Sequence, residues 1–190
     1  MEGPAPGADG AGRDALSVLH DDHLRLLDLF ERVEVAGDGV APELFDEMVR
    51  AVSVHDAVER ELLYPTVGSA SGEGSDLAKD ALNDHVSLAT SMQRLQKLGF
   101  NDAAAFHAEL GDAIYGARRH ITKEEAEIFP VLSASLTTDM LVELGGRLRS
   151  ARDRAPTRPH PHNPRSGTGA KVVDRLVAPL DRLRNQLGGR

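Results

Sequence analysis

The chain carries one pattern twice, as His55-Asp-Ala-Val-Glu59-Arg-Glu-Leu-Leu-Tyr64-Pro65 and as His120-Ile-Thr-Lys-Glu124-Glu-Ala-Glu-Ile-Phe129-Pro130. In each copy a histidine is followed by three residues, a glutamate, four more residues, an aromatic residue and a proline. The copies lie 65 residues apart, and an offset of 62 residues relates His23 to His85. We therefore interpret the chain as two helix pairs, each contributing one histidine and then one His-Glu pair.

Helix geometry brings the histidine and the glutamate of each copy to one face. Residues four apart lie about 5–6 Å from one another between their Cβ atoms, so each pair can point at a common centre. The neighbours on these faces are apolar, which predicts that the pairs are buried. Burying an ionised carboxylate costs on the order of several kcal/mol. These faces carry no obvious Lys or Arg side chain that could neutralise the two glutamates. Bound metal cations would supply the missing positive charge.

Apolar residues at helical spacing predict the rest of the fold. We expect helix one over 15–35, helix two from Pro42 to an end at Pro65, a Gly/Ser loop over 68–74, and helix three from a Ser75 cap to Gly99. Helix four should run from Asn101 to about Leu132, and a shorter fifth helix should cover 137–154. Four long helices with brief connections predict an all-α, antiparallel, up-down four-helix bundle.

The two ends of the chain differ in composition from this bundle domain, which we place at 15–154. Residues 1–14 are rich in Gly, Pro and Ala and predict a flexible tail that is not a secretory signal. Residues 155–170 carry prolines and glycines typical of a linker. Residues 171–190 form an amphipathic segment that we expect to be a helix, interrupted or kinked at Pro179. It could dock on the bundle, on a second copy in a homodimer, or on another protein.

Composition excludes several classes of function. A formal net charge of −8 argues against nucleic acid or an anionic membrane as a partner. No apolar run approaches the roughly 20 residues needed to cross a bilayer, so we expect a cytoplasmic protein. Because the chain has no cysteine, it can form no thiolate metal site, and any metal must be held by nitrogen and oxygen atoms.

Six nitrogen and oxygen ligands exceed the four that a structural zinc takes, and they suit two metals bridged by carboxylates. Each metal would also bind a water, hydroxide or oxo group. Two iron ions are the expected pair; zinc or manganese, or a set of unrelated histidines, are the alternatives. The expected ligands are His23, His55, Glu59, His85, His120 and Glu124.

Other residues could add to this ligand set or support it. His20, one turn before His23, could be a further ligand or could orient one, and Glu127 could be a third carboxylate ligand. Asp22 and Asp84 could hydrogen-bond neighbouring histidines across the bundle or remain exposed charges. Tyr64 and Phe129, each before a proline, are expected to pack and close the bundle.

The pattern of these residues resembles that of the hemerythrin-like family, also called HHE cation-binding domains. The resemblance rests on Asp22-His23, His55-x3-Glu59, Asp84-His85 and His120-x3-Glu124, and it covers about 15–132. It implies a four-helix bundle around a non-haem di-iron centre with an oxo or hydroxo bridge. The tail, with Arg158-Pro-His-Pro-His162, is similar to the C-terminal extension of some actinobacterial members.

The chain departs from the pattern of the oxygen-carrying members at two positions. Where those proteins have a fifth histidine, this sequence has Ala89, and where they have an aspartate it has Glu124. One imidazole fewer leaves room for exogenous oxygen, peroxide or nitric oxide, which disfavours reversible oxygen transport. We expect a peroxide-consuming or oxidase-type oxidoreductase. Its substrates could include a small organic molecule. The alternative is an iron- or gas-sensing binding module that signals through its C-terminal extension without turnover.

Overall fold

The structure is a computed structural model that describes residues 12–159, and within that range the chain is helical and contains no strand. The helices are α1 (Ala15–Ala36), α2 (Pro42–Val58), α3 (Tyr64–Ala70), α4 (Gly72–Leu98), α5 (Ala103–Lys123), α6 (Phe129–Ser135) and α7 (Thr138–Arg152). A 3₁₀ turn, Gly37–Gly39, follows α1. Two π-helical turns, Glu59–Leu63 and Glu124–Ile128, join α2 to α3 and α5 to α6. The all-α bundle predicted from the sequence is confirmed.

Side-chain caps set the starts of four helices. Asp14 accepts a hydrogen bond from the Ser17 amide at 2.8 Å, and Ser71, Asp102 and Thr137 cap α4, α5 and α7 in the same way. Such caps satisfy amides that have no partner within the helix. The cap expected at Ser75 and the helix start expected at Asn101 were therefore misplaced by a few residues. Gly99 ends α4 with a φ of +56°, as expected of a C-terminal glycine.

The predicted end of helix two at Pro65 is wrong, because the chain remains helical through that residue to Ala70. A proline disrupts a regular helix since it lacks an amide hydrogen and its ring collides with the carbonyl one turn earlier. Here the π turn widens the helix just before the proline, which then falls in the first turn of α3, where proline is tolerated. Pro130 occupies the same place in α6.

The Gly/Ser loop predicted over 68–74 is also absent from the structure. Only Ser71 separates α3 from α4. The two helices approach closely because Gly74 packs directly against the carbonyl group of Val67, where any Cβ atom would collide. Glycine here therefore serves close packing between helices rather than a loop.

Four long segments form the bundle, and α7 lies outside them. The segments are α1, α2 continued by α3, α4, and α5 continued by α6. Helix α7 packs against α1 and α2. Gly145 permits this contact, since a Cβ atom there would lie 2.5 Å from the carbonyl oxygen of Arg13.

The bundle interior contains two apolar clusters with a polar layer between them. One cluster includes Leu19, Leu62 and Leu144, and we call it the lower core. The other includes Phe30, Met48 and Phe106, and we call it the upper core. On α1 the buried His23 lies between Leu19 of the lower core and Leu26 of the upper core. The apolar cores thus enclose the expected site from both ends.

Parts of the predicted organisation lie outside the described residues. These are the N-terminal tail except for 12–14, the linker beyond 159, and the amphipathic segment 171–190. In the part of the chain that the structure describes, no helix combines the length and the apolar character needed to span a membrane.

Candidate metal centre

The structure brings all six expected ligands together in the polar layer. They come from four segments of the bundle, and none is more than 5% exposed. Their potential ligand atoms form two groups, each with all atoms within 4.8 Å of one another. One group is His55, Glu59, His85 and His120; the other is His23, His55, Glu59 and Glu124. His55 and Glu59 belong to both groups and so lie between two possible cation positions.

The separations between these atoms are those of ligands around shared cations. Glu59 Oε2 lies 3.2 Å from His55 Nε2 and 3.1 Å from His85 Nε2. Glu124 Oε2 lies 3.3 Å from His23 Nε2. His85 Nε2 and His120 Nε2 are 2.7 Å apart, and at most one of two nitrogens at that distance can carry the hydrogen between them.

Several of these buried atoms have no hydrogen-bond partner among the described residues. They include His23 Nε2, His55 Nε2, Glu59 Oε1 and Glu124 Oε2, all directed into the same small volume. Leaving a buried polar atom unsatisfied costs about 1–3 kcal/mol, and more for a charged group. Neutral imidazole nitrogens and carboxylate oxygens are suitable ligands for iron, zinc or manganese. The residues present therefore fit a pair of metal cations.

Both π turns begin at an expected ligand. The first starts at Glu59 and the second at Glu124, so each His-x3-Glu pair is the last regular turn before the helix widens. Such π turns often occur at functional sites because they redirect side chains that a regular helix would point elsewhere. Here they determine where the next aromatic residue points.

Tyr64, expected only to pack, has its hydroxyl group inside the site. The hydroxyl oxygen lies 2.7 Å from Glu124 Oε1 and 3.0 Å from Glu59 Oε2, to either of which it can donate. It also lies 2.6 Å from His85 Nε2 and 3.3 Å from His120 Nε2. Phe129, at the equivalent position of the second copy, instead stacks on His23 with ring centroids 5.8 Å apart. The aromatic residue and the proline that follow each His-Glu pair are the signal in the sequence from which the position of Tyr64 could have been found.

Two carboxylates outside the ligand set orient ligand histidines through their Nδ1 atoms. Asp56 hydrogen-bonds His85 Nδ1 and also pairs with Arg60. Glu125 Oε1 lies 2.8 Å from His23 Nδ1 and 2.9 Å from His20 Nδ1. A carboxylate on Nδ1 leaves Nε2 free to face a metal. Sequence reasoning identified neither carboxylate, although each directly follows an expected ligand in the chain.

The structure places four additional candidates outside the two ligand groups. His20 is half exposed and contacts Glu125 rather than the centre, so of its two expected roles only that of orienting a neighbour remains. Glu127 is exposed and belongs to neither ligand group. Asp22 pairs with Arg152 of α7 rather than with a histidine. Asp84 Oδ2 lies 3.7 Å from His120 Nδ1, too far for a hydrogen bond.

Without metal, protons take the place of cations on two of the histidines. Burial alone would lower the pKa of His23, but the nearby carboxylates of Glu124 and Glu59 outweigh it and raise the pKa to about 10. Burial opposes protonation of His85 in the same way, and Asp56 and Glu59 raise its pKa to about 10. For His55 burial dominates and lowers the pKa to about 3, so this imidazole is neutral. The metal-free centre thus balances carboxylates with imidazolium ions.

The pKa values of the two ligand carboxylates, Glu59 and Glu124, shift in opposite directions within the same buried site. Burial and the charge of Glu59 raise the pKa of Glu124. Burial also acts on Glu59, but the surrounding histidines outweigh it and lower its pKa well below the usual value. Burial and the charges of both carboxylates raise the pKa of Tyr64, so in the metal-free protein its phenol is protonated and donates.

A cavity of about 370 Å³ lies beside the centre and reaches His55. The residues that line it come from α1, α2 and the end of α7, and include Asp22, Arg25, Arg50, Val54 and Arg152. His55 Nδ1 is buried and has no hydrogen-bond partner within residues 12–159. This histidine therefore links the polar cavity to the candidate centre.

Comparison with known proteins agrees with this geometry. The family model described as "Hemerythrin HHE cation binding domain" matches residues 14–132. A crystal structure of a hemerythrin HHE cation binding domain-containing protein from Mycobacterium kansasii superposes with a TM-score of 0.65 at 21% identity, covering 75% of this chain and 86% of that one. At that identity the likeness shows a shared fold. No curated protein matches the chain.

Proposed function

This chain belongs to the hemerythrin HHE cation binding domain family, and from that premise we propose that it is a di-iron protein that reacts with oxygen, peroxide or nitric oxide. Its proposed reaction class is that of a peroxide-consuming or oxidase-type oxidoreductase. One observation carries the proposal: six buried nitrogen and oxygen ligands form two overlapping groups that share His55 and Glu59. Overlapping groups favour two adjacent cations over a single one.

Each residue of the centre has a proposed role that follows from its position. His23, His55, His85 and His120 would bind as terminal ligands, since an imidazole faces the centre with a single nitrogen. Glu59 and Glu124 would bridge, since each has one carboxylate oxygen near His23 and the other near a histidine of the other group. Bound iron supplies reversible one-electron chemistry and open positions for small oxidants. Asp56 and Glu125 hold the imidazole rings in place while the charge of the centre changes.

Access and space support reactivity with small molecules. The cavity is lined in part by His55 and would let a small molecule approach this ligand. Ala89 is buried in α4 and gives the centre no further imidazole. The lower and upper cores flank the centre with apolar side chains, which would limit the access of bulk water to the reacting groups.

The decisive experiment measures metal content and reactivity together. Protein purified without oxygen should contain two irons per chain, and its optical spectrum should change on addition of oxygen, peroxide or nitric oxide in turn. Sustained oxygen release from peroxide, lost in His120→Ala and retained in His107→Ala, would identify a peroxide-consuming enzyme. Iron-loaded protein inert to all three molecules would refute the proposal.

A second candidate function, sensing, is favoured by contacts between the site and the end of α7. Asp22, next to His23, pairs with Arg152, and Gln93 of α4 donates a hydrogen bond to the carbonyl of Pro159 at 3.1 Å. A change at the centre could thus be passed to the C-terminal extension. Hydrogen exchange in residues 155–190 should then differ between metal-free and metal-loaded protein, and the difference should shrink in Arg152→Gln. Equal exchange in both states would exclude this mode of signalling.

A further inference from the structure

The cavity beside His55 is lined by two arginines whose charges the chain does not neutralise. Arg25 lies on α1 and Arg50 on α2, and both are exposed to solvent. Within residues 12–159 their guanidinium groups form no ion pair and no side-chain hydrogen bond. Arginine presents paired N–H donors that match the geometry of a carboxylate. Two such groups on facing helices therefore provide donors for an anion in the cavity.

The carboxylates that line the cavity do not occupy these two arginines. Asp22 pairs with Arg152, and Glu47 Oε2 lies 3.5 Å from Arg32 Nη2. The third carboxylate, Asp153, is exposed at the end of α7. Two of the three acidic side chains are thus balanced by other arginines, and the wall formed by α1 and α2 keeps an excess of positive charge.

The apolar part of the lining leads from the arginines towards the centre. It consists of Leu26, Ala51 and Val54, and among the expected ligands His55 is the one that the cavity reaches. An α-helix rises about 1.5 Å per residue, so Arg50 and His55 are about 7 Å apart along α2. The cavity volume of about 370 Å³ is within the range of small-molecule sites. A molecule with a single aromatic ring fits this length and volume.

His55 is also a ligand whose second ring nitrogen is uncommitted. Asp56 hydrogen-bonds Nδ1 of His85, and Glu125 hydrogen-bonds that of His23. His55 Nδ1 has no partner of this kind in the part of the chain that the structure describes. A metal-bound histidine usually donates its second N–H to an acceptor. The inner end of the cavity therefore holds a polar atom that the protein itself does not satisfy.

We infer that the cavity binds a small organic carboxylate, with its carboxylate group held by Arg25 and Arg50 and its apolar body extending to His55. The guanidinium groups select a negative charge, and the apolar walls favour a hydrocarbon body over an inorganic anion. The inference adds a substrate class to the oxidase-type reaction. That role as substrate rests on the proposed function, whereas binding depends only on the cavity.

The test is isothermal titration calorimetry of benzoate into the full iron-loaded chain. We expect one benzoate per chain, with a Kd of about 1 mM or below. Benzamide has nearly the same shape and no charge, and it should not bind measurably. Acetate lacks the apolar ring, and inorganic phosphate has no apolar body, so both should bind at least roughly tenfold more weakly.

Variants of the lining locate the binding. Arg25→Gln/Arg50→Gln should weaken benzoate binding roughly tenfold or more, because it removes both charged donors. The control Arg94→Gln/Lys97→Gln removes the same charge from exposed positions of α4 outside the cavity and should leave binding unchanged. Ala51→Leu keeps the arginines and fills part of the cavity, so it should also weaken binding roughly tenfold. Iron content should match the wild type in every variant, since none of these residues is an expected ligand.

The outcomes separate this inference from the proposed function. Absence of saturable benzoate binding, or equal binding of benzamide, overturns the inference. Undiminished binding in Arg25→Gln/Arg50→Gln does the same, because benzoate would then be held elsewhere, as on the iron itself. Phosphate that binds more tightly than benzoate overturns the organic class. A chain that binds benzoate but contains no iron refutes the proposed function and leaves the carboxylate site standing, and a reactive di-iron protein that ignores benzoate does the reverse.

Discussion

The two copies of the repeat, 55–65 and 120–130, have the same spacing and different surroundings. Both contribute a histidine and a glutamate to the centre, and both widen into a π turn at the glutamate. The first copy places a phenol oxygen among the ligands, whereas the second places the phenyl ring of Phe129 against His23. A duplicated sequence has therefore produced a centre whose two ends are chemically distinct.

The carboxylates that orient ligand histidines differ between the copies as well. In the first copy Asp56, which follows the ligand histidine, bonds His85 and is buried. In the second copy Glu125, which follows the ligand glutamate, bonds His23 and is one-third exposed. Each copy thus orients a histidine from another helix, from a different position in its own pattern. The repeat therefore determines which residues are ligands, whereas the carboxylates that hydrogen-bond those ligands come from different positions in the two copies.

The largest effect should come from removing the glutamate common to both ligand groups. Glu59→Ala should reduce bound metal from two per chain to nearly none, because Glu59 belongs to both groups. Glu124→Ala should retain about one metal, because the group of His55, Glu59, His85 and His120 stays complete without it. Elemental analysis of reconstituted protein measures this, with the exposed Glu127→Ala as control. Equal losses in the two alanine variants would show that the copies are equivalent.

A second prediction concerns the pH dependence of the metal-free protein. The pKa values of His23 and His85 are raised to about 10 in the folded chain, above the ordinary value of 6.5. Their contribution to stability is therefore complete below about pH 6.5 and is lost as the pH rises towards 10. We expect the Tm of metal-free protein to fall by roughly 5–10 °C over that range.

Metal-loaded protein provides the comparison for this pH effect. Cations replace the two protons, so its Tm should change little over the same range. Thermal unfolding followed by circular dichroism at pH 6.5, 8 and 9.5 measures both forms. A metal-free protein whose stability rises with pH would contradict the assignment of imidazolium ions.

A smaller effect is expected from the carboxylates that orient ligand histidines. Losing such a contact typically weakens metal binding by about 10–100-fold. Asp56→Asn should lie near the upper end, because Asp56 is buried and also pairs with Arg60, and Glu125→Gln near the lower end. Competition with a chelator gives the affinities, and the exposed Asp76→Asn is a suitable control. If Glu125→Gln weakens metal binding more than Asp56→Asn, the predicted ranking of the two carboxylates is wrong.

The smallest effect should follow from His20→Ala. His20 is half exposed and contacts the carboxylate that orients His23. Exposed pairs of this kind contribute about 0–1 kcal/mol, so metal affinity should change by about twofold or less. The same chelator titration detects it. A tenfold loss would mean that His20 binds metal directly after all.

Residue spacing was sufficient to predict the bundle and the convergence of six side chains, because both follow from regular helix geometry. The role of Tyr64 was missed because Pro65 suggested a helix end, and nothing in a regular helix anticipates a π turn. The same turn in the second copy explains the error at Glu127, which a regular helix would place near Glu124. Asp56 and Glu125 act on histidines of other helices, which a single helix pattern does not reveal.

The burial of α7 in the lower core has a consequence for where this protein can be cut. The family match ends at 132, yet Leu141, Leu144 and Leu148 of α7 lie at most 8% exposed among residues of the lower core. Burying a leucine is worth about 1.5–3 kcal/mol, so three of them approach the roughly 5–15 kcal/mol by which a typical domain is stable. The smallest autonomous folding unit should therefore extend to the end of α7, some twenty residues past the border drawn by sequence similarity.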